Sequence, residues 1–572
     1  SYVFNSSGQV IDSTLIPRDT VIFKVNRPYY GPPFPVVQRY ELGRFITPYG
    51  IGLDLGAGFT WIYDVTDFVP LLRDSVRLKA GNWQELLDMK FLMIEGTPPR
   101  DVRKIERLWN GNYNLSSFAA QVPPKTVALD QEASMYRVKI TTTGHGFDNA
   151  TGCAEFCYKI HSLDVNGTTR YSWQIMEECA SNPLFPQGGT WIFDRAGWCP
   201  GAPGTLHNIE ITTYVTPGSS PVIDYNSQYD AYGNYVVESY LVSYGDPNFT
   251  TDAAIQEIVA PNDAKLYGKW NPVCGNPKVK IRNNGSAALT SLTFTYGLCN
   301  GTQSTYAWSG NLAFLEEEEV ILPTVQLFGS DAAQNPCFTV SISSPNGGVD
   351  QNPYNNSARS SFELPPDFEN PFIVKFRSNH APQETAWWIE DVMGNILYQN
   401  GPMAANTYYD DTITLNQGCY KMMITDAGGN GLDFWYINPP YGNGTIGSAR
   451  IKSTLGGYYL YSFEPDFGNF ISTAFTVGYP VGIEENTGEP LMEVFPNPAV
   501  DHANLALSFQ TPLPVTVSIY DLTGREVWGR SLEEVSTRIL PLPVSGLSPG
   551  SYFVRVKAGS HCLTRKLVVG QP

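Results

Sequence analysis

At 572 residues the chain exceeds what one hydrophobic core organises, and at roughly 100–200 residues per domain it predicts three to five domains. Apolar residues make up 42% and charged residues only 16%, with 52 Gly and 43 Pro spread without a period. That composition excludes collagen and disorder and points to many short strands joined by turns. The net charge of −18 excludes nucleic-acid binding by phosphate neutralisation.

The chain begins at Ser1 without a basic-then-apolar leader, so a signal peptide is expected to have been removed. No apolar run reaches the length of about 18 residues that a membrane-spanning helix needs. Helical periodicity is scarce, with one weak segment near Trp83–Leu87. Alternation of period two recurs instead, as in Val21–Val25, Tyr136–Ile140, Lys278–Ile281 and Val515–Tyr520, and predicts half-buried antiparallel strands. Turn signals separate them at Asn5–Gly8, Asn283–Gly285, Pro345–Gly348 and Thr523–Gly524. The predicted class is all-β, with β-sandwiches in series. A Ser/Ala/Pro-rich stretch at 116–126 reads as a linker. Further breaks fall near Pro261–Asp263 and Leu364–Phe368, and an acidic, turn-rich linker covers 479–490. The segments so defined are 1–118, 125–260, 262–364, 367–478 and 491–572. The acidic run Glu316–Glu319 is expected beside a solvated sheet edge.

Cysteine spacing shows no paired CxxC zinc pattern, so disulfides in Cys153, Cys157, Cys179 and Cys199 are preferred to buried thiols and imply an oxidising compartment. In the middle segment Cys274, Cys299 and Cys337 are odd in number, so at least one is free or pairs elsewhere. Their pairing with each other, with Cys419 or with Cys562 is left open. The run Asp426-Ala-Gly-Gly-Asn430-Gly-Leu-Asp433 offers oxygen ligands for calcium at Asp426, Asn430 and Asp433, but lacks the EF-hand spacing and reads better as a Gly/Asn turn. The six His form no His-x-His or HExxH pair, so no cofactor is expected.

Four pieces in order close the chain: Phe495-Pro-Asn-Pro498, Tyr520-Asp-Leu-Thr-Gly-Arg525, Leu547-Ser-Pro-Gly-Ser-Tyr552 and Lys566-Leu-Val-Val569. Together they resemble the type A sorting domain of the type IX secretion system of Bacteroidetes. The resemblance implies export across the outer membrane to the cell surface or medium. It also implies that 491–572 engages outer-membrane secretion machinery and shuttle or sortase proteins, with cleavage expected in the acidic linker. The three-residue O-glycosylation pattern of such bacteria fits at Ser13, Thr20, Ser75 and Thr412.

The N-terminal half carries two dense signatures. One is Tyr40-Glu-Leu-Gly-Arg-Phe-Ile-Thr-Pro-Tyr49 with Asp64-Val-Thr-Asp-Phe68 and Glu95-Gly-Thr-Pro98. The other joins Gly144-His-Gly146, Gly152-Cys-Ala-Glu-Phe-Cys157, Cys179-Ala-Ser-Asn-Pro183 and Trp191-Ile-Phe-Asp-Arg-Ala-Gly-Trp-Cys-Pro-Gly201. In order and spacing they resemble the peptide-N-glycosidase F family over roughly residues 36–260. That family implies tandem jelly rolls, here followed by Ig-like and β-sandwich modules and a small C-terminal β-sandwich. Its chemistry is hydrolysis of the amide between asparagine and the first N-acetylglucosamine of an N-glycan. The resemblance makes Glu155 the catalytic candidate and Arg195, Trp83 and Trp198 substrate-binding candidates.

The chain also departs from that pattern. The Trp-Asp-Arg segment carrying the family's main catalytic aspartate is absent upstream of Arg44, and Gly81 or a neighbour stands where a second glutamate belongs. The first jelly roll, in 1–118, reads as incomplete. Two functions therefore compete: an amidase acting on N-glycoproteins, and a non-catalytic surface protein binding glycans or protein partners.

Overall fold

The structure is a computed structural model. It describes all residues except 16–37, 51–57, 82–86, 149–151, 270–271, 330–331, 333–335, 437–441, 456–457, 480–490, 496, 500–502, 560 and 571–572. It is nearly all-β, with three two-sheet sandwich-like units followed by a fourth unit built on a single sheet.

In the first unit, one sheet orders the strands Leu206–Glu210, Met135–His145, Asn234–Pro247 and Arg100–Asn114. The facing sheet orders Lys125–Thr126, Val222–Ser227, Ile160–Val165 and Thr168–Gln174. Eight strands in two four-stranded antiparallel sheets give a jelly-roll-type sandwich. Val138, Ile140, Leu163, Val165, Tyr225 and Tyr235 alternate inward to fill it. The strand Arg100–Asn114 belongs to this unit because it pairs with Asn234–Pro247. That corrects the boundary expected near 118–125. The stretch 116–126 is no linker: Leu115, Phe118 and Val122 are buried in this core. At the other end, Ala253–Ala260 pairs with Lys278–Asn283 and so opens the next unit.

Among the described residues before Arg100, the strands are limited to the hairpin of Tyr2–Phe4 with Val10–Ser13. The first jelly roll expected over 1–118 is thus not assembled among the described residues. Instead the stretch Thr66–Phe68 docks on the sandwich's outer face. Asp67 accepts from Lys139 Nζ at 2.6 Å and from Tyr244 OH at 2.8 Å. Burial pushes the Asp67 carboxyl upward, but Lys139, Arg137 and the Tyr244 hydroxyl outweigh it and hold the group below its ordinary value.

The second unit packs a three-stranded sheet (Ala253–Ala260, Lys278–Asn283, Glu317–Ile321) against a four-stranded one (Gln303–Leu312, Leu289–Leu298, Cys337–Ser343, Ser357–Ser361). The acidic strand Glu317–Ile321 lies at a sheet edge, where charge discourages pairing with another chain. The third unit pairs a five-stranded sheet with the four-stranded sheet Tyr408–Ile413, Phe372–Arg377, Ser448–Ser453 and Tyr459–Ser462. The fourth, from Leu491–Phe495 to His561–Val569, is a five-stranded sheet. It is built on the long strands Ala503–Tyr520 and Glu526–Leu542, whose hairpin turns at Gly524 with φ +83°.

Four disulfides are present: Cys153–Cys157, Cys179–Cys199, Cys299–Cys337 and Cys274–Cys419. The odd cysteine of the middle segment, Cys274, pairs with Cys419 of the next unit, and Cys562 is free and exposed. Cys274–Cys419 closes a span of 145 residues. In the chain-entropy account such a link is worth about 5 kcal/mol. The Cys274→Ser/Cys419→Ser double variant should lose about 3–5 kcal/mol of stability in denaturant unfolding under non-reducing conditions. An unchanged midpoint would refute this.

His161 lies buried in the first core, with Nδ1 2.7 Å from Tyr225 OH, and the His207 ring lies 4.6 Å from that of Trp173. Burial lowers their pKa values to about 3 and about 4. Unfolded histidine titrates near 6.5. Below that pH the unfolded chain binds more protons than the folded one, so the stabilisation is complete above about pH 6.5 and is lost as the pH falls. For His161 alone the loss reaches about 3 kcal/mol by about pH 4. Unfolding midpoints measured from about pH 7 to 4 should fall, and His161→Gln should flatten the slope. Identical slopes for both proteins would reject this.

Candidate functional site

The strand Met135–His145 ends in Gly144-His-Gly146, followed by a two-residue ladder of Phe147–Asp148 with Gly152–Cys153. A side chain at Gly144 is excluded: its Cβ would sit 2.3 Å from Ala154 O. That close approach lets the loop closed by Cys153–Cys157 lie against the strand end. Ala154 and Glu155 both donate backbone N–H to Gly146 O, at 3.0 and 3.2 Å, and Glu155 O accepts from Ala196 N at 2.9 Å. The loop's base is held by Asp230, which accepts from Lys159 Nζ at 2.6 Å and from Cys153 N at 3.3 Å. The Lys159 hydrogen bond holds the Asp230 carboxyl below its ordinary value.

Glu155 stands on this loop with both oxygens engaged. Oε2 accepts from Gly146 N and Oε1 from Arg195 Nε, each at 3.3 Å. Arg195 lies in a short ladder opposite Glu177. Its NH1 donates to Phe193 O at 2.6 Å, and its NH2 donates to Thr190 O at 2.8 Å and to Thr190 Oγ1 at 2.7 Å. The rings of Phe156, Trp198 and Tyr49 lie 4.9, 5.0 and 5.2 Å from its Cζ. The Arg195 side chain is 0% exposed and that of Glu155 is 18% exposed. Next to Arg195 in sequence, Asp194 makes no bridge to it. Asp194 Oδ1 accepts from Cys179 N at 3.2 Å, and burial raises the carboxyl.

Trp198 is 5% exposed. Its Nε1 donates to Gly144 O at 2.9 Å, and its ring stacks on His145 at 5.7 Å. Of the four candidates, Glu155, Arg195 and Trp198 are brought together. Of the three, Glu155 presents the most side-chain surface, and Arg195 and Trp198 pack behind its carboxylate. Trp83 lies outside the described residues.

Tyr49, Thr190 and a polar cluster centred on Arg44 complete the seam, and sequence reasoning assigned them no role. Arg44 NH1 donates to Thr143 Oγ1 and Val236 O, both at 2.8 Å, and Arg44 pairs with Glu41 at 3.0 Å. Thr143 Oγ1 in turn lies 2.9 Å from His145 Nε2. Burial raises Glu41 against the opposing pull of Arg44, and burial lowers His145 with the help of the Arg44 charge. Tyr49 is raised by burial. The signal available in sequence was the Tyr40–Tyr49 signature. Its main chain docks on the Cys179–Cys199 loop through Ile46 N to Ala202 O at 3.1 Å and Gly188 N to Tyr49 O at 2.7 Å.

A second cleft of about 280 Å³ lies between this loop and the third unit, lined by Glu178, Asp194, Gly428, Asn430, Phe434 and Tyr436 among others. Asp426 Oδ1 accepts from Gly428 N at 3.0 Å, as a turn-forming aspartate does, and burial pushes the carboxyl up to about 7. Among the described residues no group of three or more His, Cys, Asp or Glu gathers to hold a metal ion. Ser13, Ser75 and Thr412 are exposed, and Thr20 lies outside the described residues.

A family model described as Peptide-N-glycosidase F, C terminal matches residues 112–242, and one described as Secretion system C-terminal sorting domain matches 493–570. Over 184 residues the chain is 34% identical to peptide-N(4)-(N-acetyl-beta-D-glucosaminyl)asparagine amidase F of Elizabethkingia miricola, covering 28% of this chain and 51% of the relative. The chain thus spans about half the length of that relative. Among solved structures, PNGase F of Flavobacterium meningosepticum is matched at 22% identity and TM-score 0.22, over 27% of this chain and 55% of its own. PNGF-II is matched at 16% identity and TM-score 0.22, over 26% of this chain and 30% of its own. With its carboxyl-terminal module at 493–570 directing export across the outer membrane to the cell surface or extracellular space, the chain is a secreted, peptide-N-glycosidase F-like protein whose residues 112–242 match that family's C-terminal domain.

Proposed function

We propose that this protein acts on N-glycoproteins, hydrolysing the amide between an asparagine side chain and the first N-acetylglucosamine of its glycan. The observation that carries the reading is the Glu155 carboxylate, partly exposed and fixed from behind by Gly146 N–H and the sealed Arg195 guanidinium. Amide hydrolysis needs an activated water, a stabiliser for the developing oxyanion and an acid for the leaving amine. A carboxylate fixed in this way is suited to the first task. Because Arg195 spends its donors on Thr190, Phe193 and Glu155, it is a positioning residue. The relative at 34% identity, an asparagine amidase by name, supports the same chemistry.

A second reading, glycan or partner binding without hydrolysis, is favoured by Gly81, which stands about where the family resemblance expects a glutamate. Among the described residues, moreover, Glu155 is the one carboxylate hydrogen-bonded to Arg195.

The test is incubation of the full chain with a denatured N-glycoprotein, reading released glycan and conversion of the glycosylated Asn to Asp. Release by the natural chain and a loss of about 10²–10⁴-fold in Glu155→Gln are expected. Arg195→Lys, which keeps the charge but not the fork, should lower kcat more than it raises KM. Absence of release with retained glycopeptide binding would overturn hydrolysis in favour of the second reading.

A further inference from the structure

The third unit carries a surface that the seam does not use. Alternation along Phe372–Arg377 buries Phe372, Val374 and Phe376 and turns Ile373, Lys375 and Arg377 outward. Register then fixes their neighbours. Lys375 faces Asp410 on one side and Arg450 on the other, and Arg377 faces Tyr408 and Ser448. Two cations directly opposite each other on one sheet face repel and cost stability. Lys375 and Arg450 are such a pair, set on one face of a chain whose net charge is −18.

Asp410 engages Lys375 at 3.1 Å. Among the described residues no carboxylate forms a salt bridge with Arg377 or Arg450, and Arg377 Nε, shielded from solvent, has no hydrogen-bond partner. The guanidiniums are arrayed over phenol rings, Arg377 at 5.3 Å from the centre of Tyr408 and Arg450 at 4.8 Å from that of Tyr459. Tyr408 is 60% exposed and Tyr459 is 44% exposed. Lys375, Arg377, Tyr408, Ser448, Arg450 and Tyr459 line one groove of about 280 Å³. That is near the lower bound of roughly 300 Å³ for small-molecule sites, so it has room for a sugar ring or two rather than a protein element.

We propose that this groove binds the acid-bearing sugars of a carboxylated or sulfated glycan. The planar guanidinium forks of Arg377 and Arg450 match a carboxylate or sulfate, which can accept two parallel hydrogen bonds. Tyr408 and Tyr459 offer flat apolar faces to the pyranose ring, with a polar tip at the solvent edge. The same net charge that leaves the cations conspicuous repels a densely charged polyanion such as nucleic acid, so the ligand is one whose charges are spaced along neutral sugar. This site stands independently of whether the Glu155 seam is hydrolytic.

The experiment is calorimetric titration of the full chain with four probes: an oligogalacturonate, a heparin oligosaccharide, a neutral cello-oligosaccharide and inorganic sulfate. Binding of at least one acidic sugar is expected, the two arms separating carboxylate from sulfate recognition. Binding should be lost as salt approaches about 1 M, where screening acts within about 3 Å. Arg377→Ala and Arg450→Ala should each weaken binding about tenfold or more, and Tyr459→Ala should weaken it as well. Arg450→Lys, which keeps the charge and cannot unfold the sheet by leaving a void, should weaken it too. Glu155→Gln should bind as the natural chain does. The proposal is overturned by absence of binding to both acidic sugars, by equal binding of the neutral sugar, by equal binding of inorganic sulfate, or by arginine variants that bind undiminished.

Discussion

A guanidinium sealed from water must find all its acceptors in the chain, and Arg195 does so by gathering three loops around itself. Its hydrogen bonds reach Glu155 on the Cys153–Cys157 loop and Thr190 and Phe193 on its own, while Tyr49 from the N-terminal signature closes over it. An uncompensated charge in that position would cost several kcal/mol, so the three segments are obliged to meet. What the family-like signatures share is therefore geometric. They are the pieces that must converge for one buried cation to be tolerated, and the partly exposed carboxylate of Glu155 is the chemical remainder of that convergence.

The far side of the same loop fixes the rest of the molecule. Trp191 donates to Asp466 of the third unit at 3.2 Å, and the buried ammonium of Lys269 donates to Ala180 O at 3.0 Å and Phe467 O at 2.7 Å. Burial drags the Lys269 ammonium down to about 7 and lifts Asp466 to about 7, each shift opposed in part by the other group's charge and, for Asp466, by the Trp191 hydrogen bond. Ala180, Trp191, Ile192 and Phe434 make a small apolar cluster there. The disulfide Cys274–Cys419 then ties the second and third units. The loop is thus a hub, with the candidate site on one face and inter-unit packing on the other.

Much of this was legible in the sequence. Period-two alternation located Tyr136–Ile140 and Val515–Tyr520 inside strands, because a half-buried sheet imposes that pattern locally. Gly144 and the cysteines drew attention to the site because close approach and covalent linkage leave residue-type signatures. What was not legible is what depends on distant partners. The stretch 116–126 has a linker's composition, yet Phe118 and Val122 are core residues. Only the pairing of Arg100–Asn114 with Asn234–Pro247 assigns the preceding strand. Arg195 and Trp198 resemble ligand contacts by type, but an Arg whose donors are met by carbonyls and a Trp stacked on His145 are told apart from ligand contacts only by their surroundings.

The Cys274–Cys419 bond also bears on transit through the envelope. A chain cross-linked between units at positions 145 residues apart cannot be drawn through a pore as a single extended strand. Once the bond has formed in an oxidising periplasm, the smallest object that can pass is a closed ring of polypeptide with two strands abreast, and with the sandwiches intact it is wider still. A gate that passes the chain after this bond has closed must admit at least two strands abreast.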